Sequence, residues 1–201
     1  MSHSTILHIN SSGRKTDSVT RVVSEYLSRE LLCQHPELNL HRRDLATGLP
    51  FIDEQWISAN FTPYEERKAD HHRVLSFSDL LVAELQQAEQ LVIAAPVYNL
   101  SIPAVLKAWI DLVVRARLTF HFTENGPSGL LNDRPAYLVM ASGGLAIGSE
   151  QDYASTYLTH ALGFVGIHNV TLIDCSTLDI SEPSQLTHQL KEILATNEVK
   201  S

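Results

Sequence analysis

Short apolar runs rich in β-branched residues alternate with longer amphipathic segments along the chain, and this alternation is the strongest constraint on its fold. The predicted strands are residues 5–10, 38–45, 91–96, 136–141 and 170–173. The predicted helices are residues 18–34, 63–87, 103–116, 151–164 and 184–195, with a loop and a short helix over 46–63 and a possible break near Arg73. The runs 91–96 and 136–141 are continuously apolar, which is typical of strands buried on both faces of a parallel sheet. The order predicts an α/β fold: a doubly wound, five-stranded parallel sheet with helices on both faces.

Length, charge and cysteine content limit the class of protein. The 201 residues predict one domain spanning 1–201, and the net charge of −8 argues against nucleic acid as a partner. Because no apolar run reaches the roughly 18 residues of a membrane span, and because the first residues lack a signal-peptide core, we expect no membrane association. Two cysteines, Cys33 and Cys175, predict a reducing, cytoplasmic compartment and buried, inert thiols.

Three segments of small and polar residues directly follow predicted strands. They are 11–18, 96–100 and 141–144, after the first, third and fourth strands. In an open α/β sheet, ligands bind outside the carboxyl ends of the strands, at the point where the strand order reverses. We therefore expect the three segments to converge on one ligand site.

The first segment, S-S-G-R-K-T-D-S, leads into a predicted helix. Hydroxyls and unpaired backbone N–H groups at a helix N-terminus can bind an anion such as phosphate. The alternative is that Asp17 or Ser18 is a simple helix N-cap. The segment matches neither the P-loop nor the dinucleotide-binding glycine pattern, so these two classes of site are excluded.

The second and third segments offer backbone groups to a planar ligand. After Pro96 the chain continues irregularly, and Asn99 adds an amide that can donate and accept hydrogen bonds. Gly143 and Gly144 are the only adjacent glycines, which permits positive φ or close approach of the backbone to a ligand. For both segments the alternative is a structural turn.

Three motifs carry a family resemblance: A-P-V-Y-N at 95–99, L-T-F-H-F-T-E-N-G-P at 118–127 and L-G-F-V-G at 162–166. In order and spacing, essentially the whole chain resembles the FMN-dependent NADH azoreductases, also described as FMN-dependent NADH:quinone oxidoreductases. The resemblance implies a flavodoxin-like fold. It also implies a homodimer with one FMN per subunit, bound at the dimer interface.

The resemblance also assigns site residues. The FMN phosphate would be held by Ser12, Thr16, Asp17 and Ser18. The flavin ring would be lined by Pro96, Val97, Tyr98, Asn99 and Leu100, and its pyrimidine side by Ala141, Ser142, Gly143 and Gly144. The substrate would be bordered by Asn99, Phe122 and Phe164, partly from the partner subunit, although core packing is the simple alternative for Phe122. The loop after Ser12 is shorter than in some relatives, and Ala141-Ser142 replaces Ser-Arg, which bears on phosphate geometry and substrate range.

The implied reaction is reduction of quinones and azo compounds by two-electron, ping-pong hydride transfer from NADH or NADPH. The flavin supplies the reactivity, so no side chain is assigned as catalytic, and the Gly143 and Gly144 amides would stabilise the negative charge of the reduced ring. The ten histidines are scattered, so we expect no metal site. The alternative functions are a flavodoxin-like electron carrier and a binding module without cofactor. An apolar helix face formed by Val105, Leu106, Trp109, Leu112 and Val113 favours a dimeric enzyme.

Overall fold

A computed structural model, which describes residues 4–198, contains one parallel sheet of five strands. These strands are β1 (Thr5–Asn10), β2 (Asn39–Asp44), β3 (Ala88–Pro96), β6 (Ala136–Ala141) and β7 (Val170–Asp174). Their order across the sheet is β2-β1-β3-β6-β7. The strand order reverses between β1 and β3, because β2 lies on the other side of β1. The predicted doubly wound sheet is confirmed.

Six α-helices cover the two faces of the sheet. They are α1 (Val19–Gln34), α2 (Glu54–Phe61), α3 (Ala69–Gln87), α4 (Ala104–Val113), α5 (Tyr153–Val165) and α6 (Pro183–Glu198). Alternation along β1 sends Leu7 and Ile9 to the core beneath α3, α4 and α5, and Ile6 to the core beneath α1 and α6. Both cores consist of buried, mainly aliphatic side chains, and the buried polar residues of the central strands are His8 on β1 and Gln90 on β3.

The segment predicted as one helix over 63–87 is divided in the structure. A short 3-10 turn, Tyr64–Glu66, precedes two residues in extended conformation, and α3 begins only at Ala69. The Lys68 N–H donates to the His71 imidazole at 3.4 Å, which satisfies one unpaired group at the helix start. The helix then runs to Gln87 without the break expected near Arg73. The following strand, β3, begins at Ala88, three residues earlier than predicted.

A two-stranded antiparallel hairpin is inserted between α4 and β6. It consists of β4 (Phe120–Thr123) and β5 (Gly126–Gly129), with Gly126 at φ +109° after the turn. The hairpin packs so closely on the end of α5 that a Cβ on Gly129 would lie 2.3 Å from the backbone nitrogen of Gly166. Phe120 is buried, whereas Phe122 is 74% exposed, so core packing is wrong for Phe122.

The apolar face of α4 lies inside one chain. Leu106, Trp109, Leu112 and Val113 are buried, and Val105 is partly buried in the same core. The expectation that this face forms an intersubunit surface is therefore wrong, because α3 packs on α4 and the face belongs to the same buried core as the sheet. Cys175 is buried as predicted, but Cys33 is exposed. Within residues 4–198, no helix is long and apolar enough to cross a membrane.

Candidate functional site

Hydrogen bonds hold the first predicted segment against β3, and the second against the third, at the carboxyl edge of the sheet. Both the N–H and the hydroxyl of Ser11 donate to the carbonyl oxygen of Ala94, at 3.1 and 2.7 Å. The Val97 N–H donates to the Ala141 carbonyl at 2.8 Å, which ties the second segment to the third. The structure therefore places these segments side by side at the point where the strand order reverses.

The loop after β1 combines a buried base with an exposed rim. Ser12 and Ser18 are buried, whereas residues 13–17 are exposed, and Asp17 adopts φ +56°. Ser18 occupies the N-cap position of α1, but its hydroxyl makes no capping hydrogen bond and lies 3.3 Å from the Thr20 hydroxyl. The prediction of Ser18 as the N-cap is therefore confirmed in position, but its side chain does not cap the helix. The first-turn N–H groups of α1 have no intrahelical acceptor and can meet a ligand.

The segment after β3 is a tight turn. Tyr98 and Ser101 exchange backbone hydrogen bonds of 2.9 and 3.1 Å, which leaves Asn99 and Leu100 as its two central residues. Both have positive φ, +48° and +73°, as a type I′ turn requires. The left-handed conformation costs a leucine about 1–2 kcal/mol. The Leu100 side chain is 68% exposed, so burial does not offset this strain.

The Gly143-Gly144 pair borders open space. A Cβ added to either glycine would meet no heavy atom within 4 Å. Neither glycine has positive φ, so the prediction that the pair adopts this conformation is wrong. The prediction that the pair permits close approach of the backbone to a ligand remains. The Ser142 hydroxyl accepts hydrogen bonds from the Leu145 N–H at 2.9 Å and the Gly144 N–H at 3.4 Å. Within the described residues the Gly143 N–H has no acceptor.

Phe122 and Phe164 lie far from these loops in the same chain. Phe164 is near the C-terminal end of α5, which runs from the carboxyl edge of the sheet back to its amino edge. The 13 residues of α5 separate its ends by about 20 Å. The Phe120 ring contacts the Phe164 ring at a centroid distance of 4.7 Å, and the Phe122 ring lies 5.4 Å from that of Phe120. The three phenylalanines form one cluster, at the opposite end of α5 from the loops.

An arginine–carboxylate pair beneath the first loop was missed in the sequence. Arg21, in the first turn of α1, binds both carboxylate oxygens of Asp44 and the carbonyl oxygen of Ser12. The hydrogen bond from Arg21 lowers the pKa of the Asp44 carboxyl. A positive charge in the first turn of a helix interacts unfavourably with the helix dipole. An arginine at this position is therefore a sequence signal for a specific partner.

His8 is a buried titratable residue of β1, and its side chain lies against α1. Its Nε2 lies 2.8 Å from the Ser24 hydroxyl, and burial lowers the pKa of the imidazole to about 4. His8 is therefore neutral near pH 7. Over residues 4–198, the structure gathers no group of three or more His, Cys, Asp or Glu side chains that could hold a metal ion.

Comparison with known proteins defines the class to which this site belongs. A family described by its flavodoxin-like fold matches residues 4–196. The chain is also similar to the FMN-dependent NADH-azoreductase of Bacillus anthracis solved in complex with FMN, with a TM-score of 0.77 and 26% identity. That alignment covers 97% of this chain and 98% of the azoreductase. The chain is a member of the flavodoxin-like family.

Two curated relatives narrow the assignment. FMN-dependent NADH:quinone oxidoreductase 1 of Colwellia psychrerythraea is 47% identical over 189 residues, which cover 94% of this chain and 97% of the relative. The protein of the same name from Hahella chejuensis is 41% identical, over 96% of this chain and 95% of its own length. The chain belongs to the family of FMN-dependent NADH:quinone oxidoreductases, as its motifs predicted.

Proposed function

We propose that this protein is an FMN-dependent oxidoreductase that uses NADH to reduce quinones and azo compounds. The observation that carries the proposal is the convergence of three loops at the carboxyl edge of the sheet, in a chain 47% identical to a named FMN-dependent NADH:quinone oxidoreductase. When bound, FMN supplies the hydride and two-electron chemistry. The protein binds the flavin, orients it and adjusts its electrostatic surroundings.

The loop after β1 fits the phosphate of FMN. Ser12, Thr16 and Ser18 supply hydroxyls, and the start of α1 supplies N–H donors and the positive end of its dipole. Asp17 contributes its N–H group only, because its carboxylate would repel the phosphate. The exposed position of the Asp17 side chain is compatible with this role.

The other two loops fit the flavin ring. Residues Pro96 to Leu100 line one edge, where the backbone and the Asn99 amide match the polar rim of the ring. Residues Ala141 to Gly144 line the pyrimidine side, where the open space beside both glycines admits a flat ligand. The Gly143 N–H has no acceptor within the described residues, so it would be available as a hydrogen-bond donor that stabilises negative charge on the ring, in the manner of an oxyanion hole.

A second copy of the chain completes the site in this proposal. Asn99 borders the substrate from the subunit that holds FMN, but Phe122 and Phe164 lie at the other end of α5. They reach a flavin only if they belong to a partner subunit. The 74% exposure of Phe122 supports such a contact, since association removes an exposed apolar ring from water. The protein is therefore a homodimer with two equivalent sites.

The donor and the compartment complete the proposal. NADH is the electron donor, in line with the names of the relatives, and comparing kcat/KM for NADH and NADPH tests this choice. We place the protein in the cytoplasm, because a chain with two cysteines has no disulfide framework, which suits a reducing compartment.

A flavodoxin-like electron carrier is the alternative function. A carrier binds FMN but needs neither a nicotinamide donor nor a second subunit at the flavin. Steady-state NADH oxidation with benzoquinone or methyl red, with the protein reconstituted with FMN, separates the two functions. The proposal predicts turnover far above that of an equal concentration of free FMN. A yellow protein with turnover equal to free FMN would be a carrier.

A further inference from the structure

Arg21 connects the phosphate loop to the end of strand β2. Its Nη2 donates to the Ser12 carbonyl oxygen at 2.9 Å and to Asp44 Oδ1 at 2.7 Å, while Nη1 donates to Asp44 Oδ2 at 2.9 Å. The Arg21 side chain is only 18% exposed. A two-pronged arginine–carboxylate pair has fixed geometry, so the guanidinium is held in one orientation.

Asp44 is itself fixed. It is the last residue of β2, and its Oδ1 accepts the Ala46 N–H at 3.0 Å, which caps the 3-10 turn Leu45–Thr47. The sheet therefore holds Asp44, Asp44 holds Arg21, and Arg21 holds Ser12. Because the peptide unit is planar, fixing the Ser12 carbonyl also fixes the direction of the Gly13 N–H.

The loop itself has little internal support. Residues 13–17 are exposed, and Asp17 has positive φ. The Arg14 N–H donates to the Ser12 hydroxyl at 3.2 Å, so Ser12 is also the internal anchor of the loop. The position of Ser12 consequently controls how the phosphate donors of the loop are presented.

We infer that Arg21, through its pair with Asp44, is a positioning residue that holds the 12–18 loop in the conformation required by the FMN phosphate. This inference rests on the proposed FMN site. It adds to that site a supporting residue that is not among the predicted FMN ligands. Arg21 acts through the Ser12 carbonyl, because Nη2 donates to both Ser12 and Asp44 while Nη1 donates to Asp44. Its Nε is buried without a partner in the described structure.

Binding of FMN and of riboflavin, which lacks the phosphate, tests this role in the full-length apoprotein. Flavin fluorescence titrations would give both Kd values for the wild type and for Arg21→Ala, Arg21→Lys and Asp44→Asn. Arg42→Ala is the matched control. Arg42 also joins β2 to α1, by an ion pair with Glu25 at 2.8 Å, but that pair does not include the loop. Thermal unfolding of each apoprotein reports separately on folding.

The inference predicts that Arg21→Ala raises the Kd of FMN about 10- to 100-fold, since hydrogen bonds from a charged group are lost. The Kd of riboflavin should change little. Arg21→Lys should restore only part of the affinity, because an ammonium group lacks the planar fork. Asp44→Asn should also weaken FMN binding, and Arg42→Ala should leave both Kd values near those of the wild type.

Four results would overturn the inference. Equal losses of affinity for FMN and for riboflavin would show that Arg21 supports the structure in general and not the phosphate loop in particular. Unchanged FMN binding in Asp44→Asn would show that the pair does not position the loop. Tighter FMN binding in that variant would show that Arg21, freed from the carboxylate, contacts the phosphate directly. Full affinity in Arg21→Lys or Arg21→Ala would remove the positioning role. A wild type that binds no FMN would contradict the proposed function instead.

Discussion

The Ser12 hydroxyl oxygen lies 3.4 Å from the Tyr98 hydroxyl oxygen, although the two residues are 86 positions apart in the chain. The contact joins the loop after β1 to the turn after β3, across the point where the strand order reverses. A Cβ on Gly13 would also approach the Tyr98 hydroxyl, at 4.0 Å. The proposed phosphate-binding and ring-binding loops therefore share one wall, which includes the Tyr98 side chain.

Ser12→Ala and Tyr98→Phe test separately what each of these two residues contributes to FMN binding. Ser12 also accepts the Arg14 N–H, so Ser12→Ala loses a loop contact and a phosphate donor together. We expect its FMN Kd to rise about tenfold. Tyr98→Phe loses only a long hydrogen bond and is expected to change the Kd less than about threefold. Fluorescence titration measures both values, and a larger effect of Tyr98→Phe would contradict the assignment of Ser12.

Gly143→Val tests the open space beside the glycine pair. Since a Cβ there meets no neighbour, the apoprotein should keep its melting temperature while FMN binding weakens at least about tenfold. Gly129→Ala is the contrasting control. Its Cβ would lie 2.3 Å from the Gly166 backbone, so we expect a lower melting temperature. Normal FMN affinity in Gly143→Val would remove Gly143 from the site.

Leu100→Gly tests the strain in the turn after β3. Glycine adopts φ +73° without steric cost. Relief of about 1–2 kcal/mol of strain should exceed the roughly 0.5–1 kcal/mol entropic cost of glycine, so the free energy of unfolding of the apoprotein should rise. Leu130→Gly is the control, because Leu130 is also exposed but does not have positive φ. It should destabilise through added chain entropy. Urea unfolding measures both, and a destabilised Leu100→Gly would refute the strain.

His8 makes stability depend on pH. Its pKa of about 4 in the folded protein lies below the ordinary 6.5, so between these values the unfolded chain binds a proton that the folded chain does not. The free energy of unfolding therefore falls as the pH decreases from 6.5 towards 4. Between pH 7 and pH 4.5, the wild type should lose about 2 kcal/mol more than His8→Gln in urea unfolding. The same loss in both proteins would refute this; His188→Gln, an exposed histidine, is the control.

Much of the fold could be predicted because local patterns agree with it. The apolar runs at 91–96 and 136–141 marked central strands, and polar segments directly after strands marked the carboxyl edge. The hairpin could not be recognised in the same way. β4 and β5 have four residues each, and β5 reads G-P-S-G. Its position depends on the backbone contact of Gly129 with Gly166, which no local pattern shows.

The loops of the site could be predicted from the sequence, but the residues that hold those loops in place could not. The pairing of Arg21 with Asp44 joins residues 23 positions apart, through the register of β2 on β1. For the apolar face of α4, the sequence shows that the face is covered but not what covers it. A face such as that around Trp109 looks the same in sequence whether it meets its own sheet or another subunit, and only packing distinguishes the two.

Subunit complementation tests whether loops of one chain and phenylalanines of another form one reductase site. Gly143→Val disables the loops, and Phe164→Ala disables the aromatic cluster. Heterodimers purified through two different tags would contain one intact site. At an FMN concentration that saturates the wild type but not Gly143→Val, we therefore expect about half the wild-type rate of NADH-dependent benzoquinone reduction. Heterodimers no more active than either parent homodimer would contradict it.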